Sequence, residues 1–152
     1  MKKNLDLTDE GLGQDHWKIN GNVYYTWGAA KRLAKKVGGY HLPTPEEWDE
    51  LFKACGCTYV SDTRNFRNAF LKNNKELIKK LKIKFVGIYR TVYKTPRVSP
   101  SHLDDVGSDA DFWSDYTAGT SVDVGSVNIN KDSITTGYTN KKFGFSVRLV
   151  KD

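Results

Sequence analysis

The spacing of apolar residues predicts helices in the first half of the chain and strands in the second half. The clearest helical stripe has apolar residues at i, i+3, i+4 and i+7, namely Trp48, Leu51, Phe52 and Cys55. It follows Thr44-Pro45 and Glu47, which have the spacing of a capping box with a proline start. We therefore predict a helix that begins at Pro45 and ends at Gly56.

A hairpin and a helix are predicted before this point. Asn20-Gly21 separates two short apolar runs over residues 16–25, and this pair favours the type I′ turn of a two-residue hairpin. Thr26 is a suitable N-cap for the next amphipathic segment, which the glycine pair at 38–39 ends. The predicted order is hairpin, helix, tight turn and helix.

The remaining segments are less regular. Residues 64–81 keep helical spacing, interrupted by Asn73 and Asn74, which predicts a basic helical insertion as one helix or two short ones. A strand is predicted from Lys82 and a long loop over residues 95–111. Short strands are expected at 112–114, 121–129 and 133–138, and the strict alternation over 143–149 predicts a central strand.

The composition fits one domain over residues 14–152 after a mobile lead-in at 1–13. The hydrophobic share of 38% is rich in aromatic residues, which must fill the core. No apolar run follows Met1, so we expect neither a signal peptide nor a membrane-inserted segment, and a location in a virion or the cytoplasm. Cys55 and Cys57 are too close together to close a useful disulfide loop.

The net charge of +6 is unevenly distributed. Residues 64–97 carry lysines and arginines with Glu76 as the single acid, whereas residues 98–130 contain aspartates and neither lysine nor arginine. A basic surface attracts acidic partners, although such surfaces are often only solvated. We expect self-assembly or an acidic protein partner more readily than nucleic acid.

Four motifs along the chain resemble the Fibrobacter succinogenes major paralogous domain. They are Tyr25-x-Trp27-x-Ala29-Ala30, Gly39-Tyr40-His41-Leu42-Pro43-Thr44-x-x-Glu47-Trp48, Gly107-x-x-Ala110-x-Phe112-Trp113-Ser114 and Gly144-Phe145-Ser146-Val147-Arg148. That family is similar to the formylglycine-generating-enzyme-like branch of the C-type-lectin-like fold. The same branch includes the variable receptor-binding proteins of diversity-generating retroelements.

The resemblance implies an α+β domain of C-type-lectin-like fold, with two helices packed on a twisted antiparallel sheet whose first and last strands are close. It also implies a protein that binds through the loop-rich face of its late strands and is not an enzyme. The enzymes of the formylglycine-generating branch use two late cysteines with copper, and the late region here has no cysteine. The insertion at 64–81 is longer and more basic than the family's usual loop.

The sequence offers few candidates for catalysis or cofactors. His16, His41 and His102 are not accompanied by a motif for nucleophilic or zinc catalysis. Asp104, Asp105 and Asp109, with Asp111, are oxygen ligands suited to calcium, but the lectin tripeptides that accompany such sites are missing. We expect no cofactor, with calcium as the open alternative.

The late strands carry the residue types of a binding face. Aromatic rings stack on sugars, and amides and carboxylates pair with hydroxyl groups. The candidates are Asp111, Trp113, Asp115, Tyr116, Asn128, Asn130, Tyr138 and Asn140. Trp113 also fits a core position, and Asp115, Tyr116 and Asn128 are the best candidates for exposure. The expected ligand is a glycan or a surface protein, and the expected setting of this module is a bacteriophage virion or another surface. The alternative is an assembly protein that docks an acidic partner through residues 64–81.

Overall fold

The computed structural model describes residues 15–60, 68–90, 102–117, 119 and 122–152. Within these residues the chain is a mixed α+β fold with helices α1 to α3 and strands β1 to β11 in antiparallel sheets. The lead-in expected at residues 1–13 lies outside the described residues.

The hairpin and first helix are confirmed. Strands β1 (His16–Ile19) and β2 (Asn22–Tyr25) pair in register through Asn20 and Gly21, whose φ values of 53° and 79° are those of a type I′ turn. Helix α1 (Trp27–Val37) begins after Thr26, whose hydroxyl accepts a hydrogen bond from the Ala29 amide at 3.3 Å.

The second helix is confirmed with its capping box. Helix α2 (Pro45–Ala54) starts where the Thr44 hydroxyl accepts from the Glu47 amide at 3.2 Å and a Glu47 carboxylate oxygen accepts from the Thr44 amide at 2.9 Å. Just before it, β3 (Tyr40–His41) pairs with β11 (Val150–Lys151). The end of the described chain is therefore held beside the start of α2.

The largest sheet has five antiparallel strands. Their spatial order is β4 (Thr58–Tyr59), β5 (Phe70–Lys72), β10 (Ile134–Asn140), β9 (Asp123–Asn130) and β8 (Asp109–Thr117). Helix α3 (Lys75–Leu81) follows β5, and β6 (Ile88–Arg90) pairs with β7 (His102–Asp104) beside β8.

The helical insertion over residues 64–81 is wrong in part. Residues 64–67 lie outside the described residues, and Phe70–Lys72 is a strand that pairs with both β4 and β10. Asn73 has a φ of 59°, which a helix does not tolerate, so helix α3 begins only at Lys75. Cross-strand pairing of the fully buried Leu71 outweighs the helical spacing of this segment.

The strand predicted from Lys82 and the loop predicted at 95–111 also differ from the structure. The strand expected from Lys82 begins at Ile88, because Lys82 is in the left-handed conformation and Gly87 has a φ of 72°. The loop expected at 95–111 includes strand His102–Asp104 and the start of β8, while residues 95–101 lie outside the described residues.

The central strand predicted at 143–149 is wrong as a regular strand. Phe145, Gly144 and Ser146 form single bridges to β2, β6 and β8 respectively, and not a ladder with one partner. Three partners that run in different directions cannot be followed by one continuous ladder. The segment is nevertheless central, since Phe145, Val147 and Leu149 are each 1% exposed.

Two hydrophobic clusters lie on opposite faces of β8. Trp113 belongs to the cluster with α1 and Phe145, and its ring stacks on Phe145 with centroids 4.0 Å apart. The adjacent Phe112 belongs to the cluster with α2 and α3, where its ring centroid is 5.9 Å from that of Trp48. Because side chains alternate along a strand, neighbouring residues of β8 anchor both cores.

His41 joins the last described strand to α2. Its Nδ1 lies 2.7 Å from a carboxylate oxygen of Asp152, and its Nε2 lies 2.7 Å from one of Glu47. Hydrogen bonds to Asp152 and then to Glu47 raise the pKa of His41. Since the folded-state pKa is the higher one, this contact stabilises the fold fully below the unfolded-state pKa of about 6.5 and is lost as the pH rises through the folded-state pKa.

We expect the His41 ring to titrate above about pH 6.5 in the folded protein. Asp152→Asn should move the pKa of His41 down, because it removes the carboxylate that contributes most to the shift. Imidazole proton shifts measured by NMR across the titration would test this. The exposed control Asp132→Asn should leave the titration unchanged, and an equal shift in both variants would contradict the assignment.

Candidate functional site

A bulge in β8 sets the position of the candidate residues at the sheet edge. Trp113 lies opposite Ser126 and Thr117 lies opposite Val124, so four steps along β8 match two steps along β9. The intervening residues 114–116 therefore leave the regular ladder. Bulges of this kind redirect side chains at sheet edges and next to functional sites.

The bulge is fastened to the first half of the chain. The Ser114 hydroxyl and the Asp115 amide both donate to the Pro43 carbonyl, at 3.0 and 2.7 Å. The Trp27 indole donates to the Ser114 carbonyl at 3.0 Å. These bonds satisfy backbone groups that the interrupted ladder leaves unpaired, and they give the bulge a fixed shape.

Tyr116 and Tyr138 form a stacked pair across the sheet. Their ring centroids are 5.7 Å apart with an interplanar angle of 23°. Tyr138 lies opposite Gly125 of the intervening strand, and glycine has no side chain to separate the two rings. Tyr116 remains 43% exposed, so the pair presents an aromatic surface to solvent.

Asp115, which precedes Tyr116 in the chain, forms a charged pair with Lys31 of α1. The Lys31 ammonium lies 3.0 Å from a carboxylate oxygen of Asp115, and it also lies 4.8 Å from the ring centroid of Trp27. Both charged side chains are about one-third exposed, at 39% and 35%. We call Tyr116, Tyr138, Asp115, Lys31 and Trp27 the tyrosine surface.

A second cluster lies nearer the start of β8 and combines Asp109, Asp111 and Asn128. The register pairs Asp111 with Asn128 across β8 and β9. The Asn128 amide nitrogen donates to Asp111 at 3.0 Å and to Asp109 at 3.2 Å. The two carboxylates thus share one amide group, and we call these residues the acid–amide cluster.

Asp111 is the most unusual member of this cluster. It is 7% exposed, and its second carboxylate oxygen is buried without a hydrogen-bond partner among the described residues. Burial raises the pKa of Asp111 to about 6, and the nearby charges of Asp109 and Asp105 add to this effect. Asn128 and Arg90 act in the opposite direction but do not cancel it.

The other candidates from the sequence have structural roles. Trp113 is fully buried and its indole donates to the Tyr25 carbonyl at 2.6 Å, so its ring is part of the core and offers no ligand surface. The Asn130 side chain accepts from the Asp132 and Ser133 amides, each at 2.9 Å, and Asn140 accepts from the Lys142 amide at 3.0 Å. Both asparagines form turns that follow β9 and β10.

The aspartates considered for calcium lie near one another but do not form a set of three metal ligands within the described residues. Asp104 pairs with Arg90, and the Asp105 carbonyl accepts from the Ser108 and Asp109 amides in a turn. Among the residues that the structure describes, no three histidine, cysteine or acidic side chains are grouped so that they could hold a metal ion. The described part of the chain therefore gives the calcium prediction no support.

The two cysteines directly follow α2, and Cys55 packs in the same hydrophobic cluster as Val127 and Ile129 of β9. Both are free thiols, with Cys55 buried and Cys57 half-buried. Burial, followed by the nearby Cys55, raises the pKa of Cys57 to about 11. The Cys57 thiol is therefore protonated at neutral pH, and a protonated thiol is a weak nucleophile and metal ligand.

Sequence reasoning missed Lys31 and Trp27 as members of the tyrosine surface. They are four residues apart on α1, which places them on one helix face. That spacing is visible in the sequence, but the contact with Asp115 spans 84 residues and is not visible there.

No helix in the described parts of the chain is long and apolar enough to cross a membrane.

The chain was compared with known proteins in three ways. No family model, no curated protein and no solved structure matches it. Membership of the Fibrobacter succinogenes major paralogous domain family and the C-type-lectin-like fold therefore both stay predictions.

Proposed function

We propose that this protein is a binding module that holds a glycan against the tyrosine surface, without catalysing a reaction. The observation that carries this proposal is the stacked pair of Tyr116 and Tyr138 beside a fastened bulge. A rigid aromatic surface gives large contact area at little cost in side-chain entropy.

The Asp115–Lys31 pair, which adjoins Tyr116 in the chain, suits hydroxyl groups. The Asp115 carboxylate accepts hydrogen bonds and the Lys31 ammonium donates them, and the two lie 3.0 Å apart. Adjacent sugar hydroxyls each require a donor or an acceptor at this spacing. An aromatic face beside paired polar groups therefore favours a carbohydrate ring over a purely apolar ligand.

The acid–amide cluster raises the question of catalysis because Asp111 has a raised pKa. A carboxyl group with a raised pKa is a candidate general acid, but it must reach its substrate within hydrogen-bond distance. The unpaired oxygen of Asp111 is buried, so solvent-borne molecules do not contact it in this conformation. We therefore assign the cluster no catalytic step.

Tyr116→Ala should weaken glycan binding by about tenfold, because it removes one ring of the exposed pair. A glycan array would first identify a ligand, and titration calorimetry would then compare the purified variants. Asp115→Asn should also weaken binding, since it removes an acceptor and its contact with Lys31.

The matched control is Val106→Ala, which truncates another exposed apolar side chain in the turn between β7 and β8. It should bind as the unaltered protein does. Equal loss in this control, or full binding by folded Tyr116→Ala, would contradict the tyrosine surface as the site.

A further inference from the structure

A second surface, formed by residues 72–84 and the turn at Lys131, carries a dense positive charge. Every lysine between residues 72 and 84 is exposed, and so is Lys131 in the turn between β9 and β10. None of them forms an ion pair with another described side chain. We call this set the lysine surface: Lys72, Lys75, Lys79, Lys80, Lys82, Lys84 and Lys131.

Three of these lysines line one cavity. Its volume is about 590 Å³, and Lys72 of β5, Lys75 of α3 and Lys131 reach it from separate elements. Glu76 and Asp132 also line it. The cavity is open to solvent, so a side chain from another molecule can enter it.

The base of the cavity is held by buried hydrogen bonds. Asn74 is 1% exposed, and its amide nitrogen donates to the Asn130 carbonyl at 2.8 Å and to the Ser133 carbonyl at 3.1 Å. These bonds join the start of α3 to the turn that carries Lys131. The backbone segments that carry the three cavity lysines are therefore joined by hydrogen bonds. This reduces the conformational entropy that binding would cost.

The chemistry of the surface favours an acidic polypeptide as the partner. Lysine supplies point charges, whereas nucleic-acid recognition commonly adds arginine forks and stacked aromatic rings. Residues 72–84 contain no arginine, and the one exposed large aromatic side chain among the described residues, Tyr116, belongs to the other surface. Glu76 and Asp132 reduce the net positive charge of the cavity, so the three lysines must outweigh them for an anionic side chain to bind there.

We propose that the lysine surface docks an acidic protein segment, with carboxylate side chains of that segment entering the cavity lined by Lys72, Lys75 and Lys131. This docking is independent of the glycan site. It gives the module a second partner through which it can be held in an assembly while the tyrosine surface stays free.

The test uses poly-L-glutamate as the probe and fluorescence anisotropy as the readout. The full chain should bind it, and affinity should fall steeply as salt is raised, because exposed charges are screened. Reversal of the cavity lysines, in Lys72→Glu/Lys75→Glu/Lys131→Glu, should weaken binding by at least about tenfold.

Two controls of equal charge make the result decisive. Lys79→Glu/Lys80→Glu/Lys84→Glu changes lysines that do not line the cavity and should weaken binding less. Lys35→Glu/Lys36→Glu/Lys151→Glu changes exposed lysines elsewhere and should have the smallest effect. Circular dichroism would establish that each variant is folded.

Several outcomes would overturn the proposal. Equal losses in all three variants would show that net charge alone governs the interaction. Absence of binding to poly-L-glutamate would exclude acidic polypeptides as partners of the lysine surface. Tighter binding to single-stranded DNA than to poly-L-glutamate, at matched charge and salt, would assign the surface to nucleic acid. Because glycan binding is measured separately on the tyrosine surface, either proposal can fail alone.

Discussion

Gly87→Ala is expected to lower the free energy of unfolding by roughly 2 to 6 kcal/mol, from about 1–3 for a strained backbone and about 1–3 for overpacking. Gly87 has a φ of 72°, and an added Cβ would lie 2.1 Å from the Asp104 carbonyl oxygen and 2.9 Å from the Val106 amide nitrogen. Both atoms belong to backbone, so no side-chain rotation relieves the contact. Urea unfolding followed by circular dichroism would measure the loss.

Gly107→Ala separates the two contributions. Gly107 has a φ of 87° and lies in the same region, but an added Cβ there would meet nothing within 4 Å. It should therefore show only the backbone cost. If both variants lost the same stability, close packing at Gly87 would not be the cause.

The pairing of β6 and β7 should be affected first. The Gly87 amide donates to the Asp109 carbonyl at 2.8 Å, and Gly87 bridges Ala110 at the edge of β8. Moving the backbone away from Asp104 would break this attachment. We expect faster amide hydrogen exchange in Ile88–Arg90 of Gly87→Ala before global unfolding.

Asp111→Asn is expected to stabilise the protein above about pH 6, by up to about 3 kcal/mol. The fold raises the pKa of Asp111 to about 6 from a usual value of 3.8, chiefly because the charged carboxylate is buried. The folded state therefore holds this proton more tightly than the unfolded chain does. The contribution of Asp111 protonation to the free energy of unfolding is fully favourable below about pH 4 and is lost as the pH rises to about 6.

The variant removes this pH dependence because asparagine does not ionise. The difference in unfolding free energy between Asp111→Asn and the unaltered protein should be smallest near pH 4, widen to about pH 6 and then stay constant. Urea unfolding at several pH values would measure it. Asp132→Asn alters an exposed carboxylate and should preserve the original pH dependence. A constant difference at all pH values would contradict the burial of charge at Asp111.

Local signals allowed accurate prediction of the first hairpin and of helices α1 and α2. The capping box of Thr44 and Glu47 and the Asn-Gly turn each satisfy their own backbone groups within a few residues. Such features depend little on the rest of the molecule. The strand Phe70–Lys72 was missed because its pairing partners lie in β4 and β10, and three residues are too few to show a period.

The candidate site was only partly visible for the same reason. Tyr116 and Tyr138 could be selected as polar-tipped aromatic residues beside or on predicted strands, but their contact depends on the register of β8, β9 and β10. The sharing of Asn128 by two aspartates likewise arises from cross-strand pairing. Trp113 and Tyr116 are three residues apart on β8, and one is fully buried whereas the other is 43% exposed.

The two hydrophobic clusters also bear on the order in which the chain folds during synthesis. The cluster around Trp48 and Phe112 uses residues no later than Ile134, whereas the cluster around α1 needs Phe145, Val147 and Leu149. Contacts between distant residues form slowly because a long loop must close first. The hairpin and α1 are synthesised first, but they cannot reach their final packing until residues 145–149 have left the ribosome.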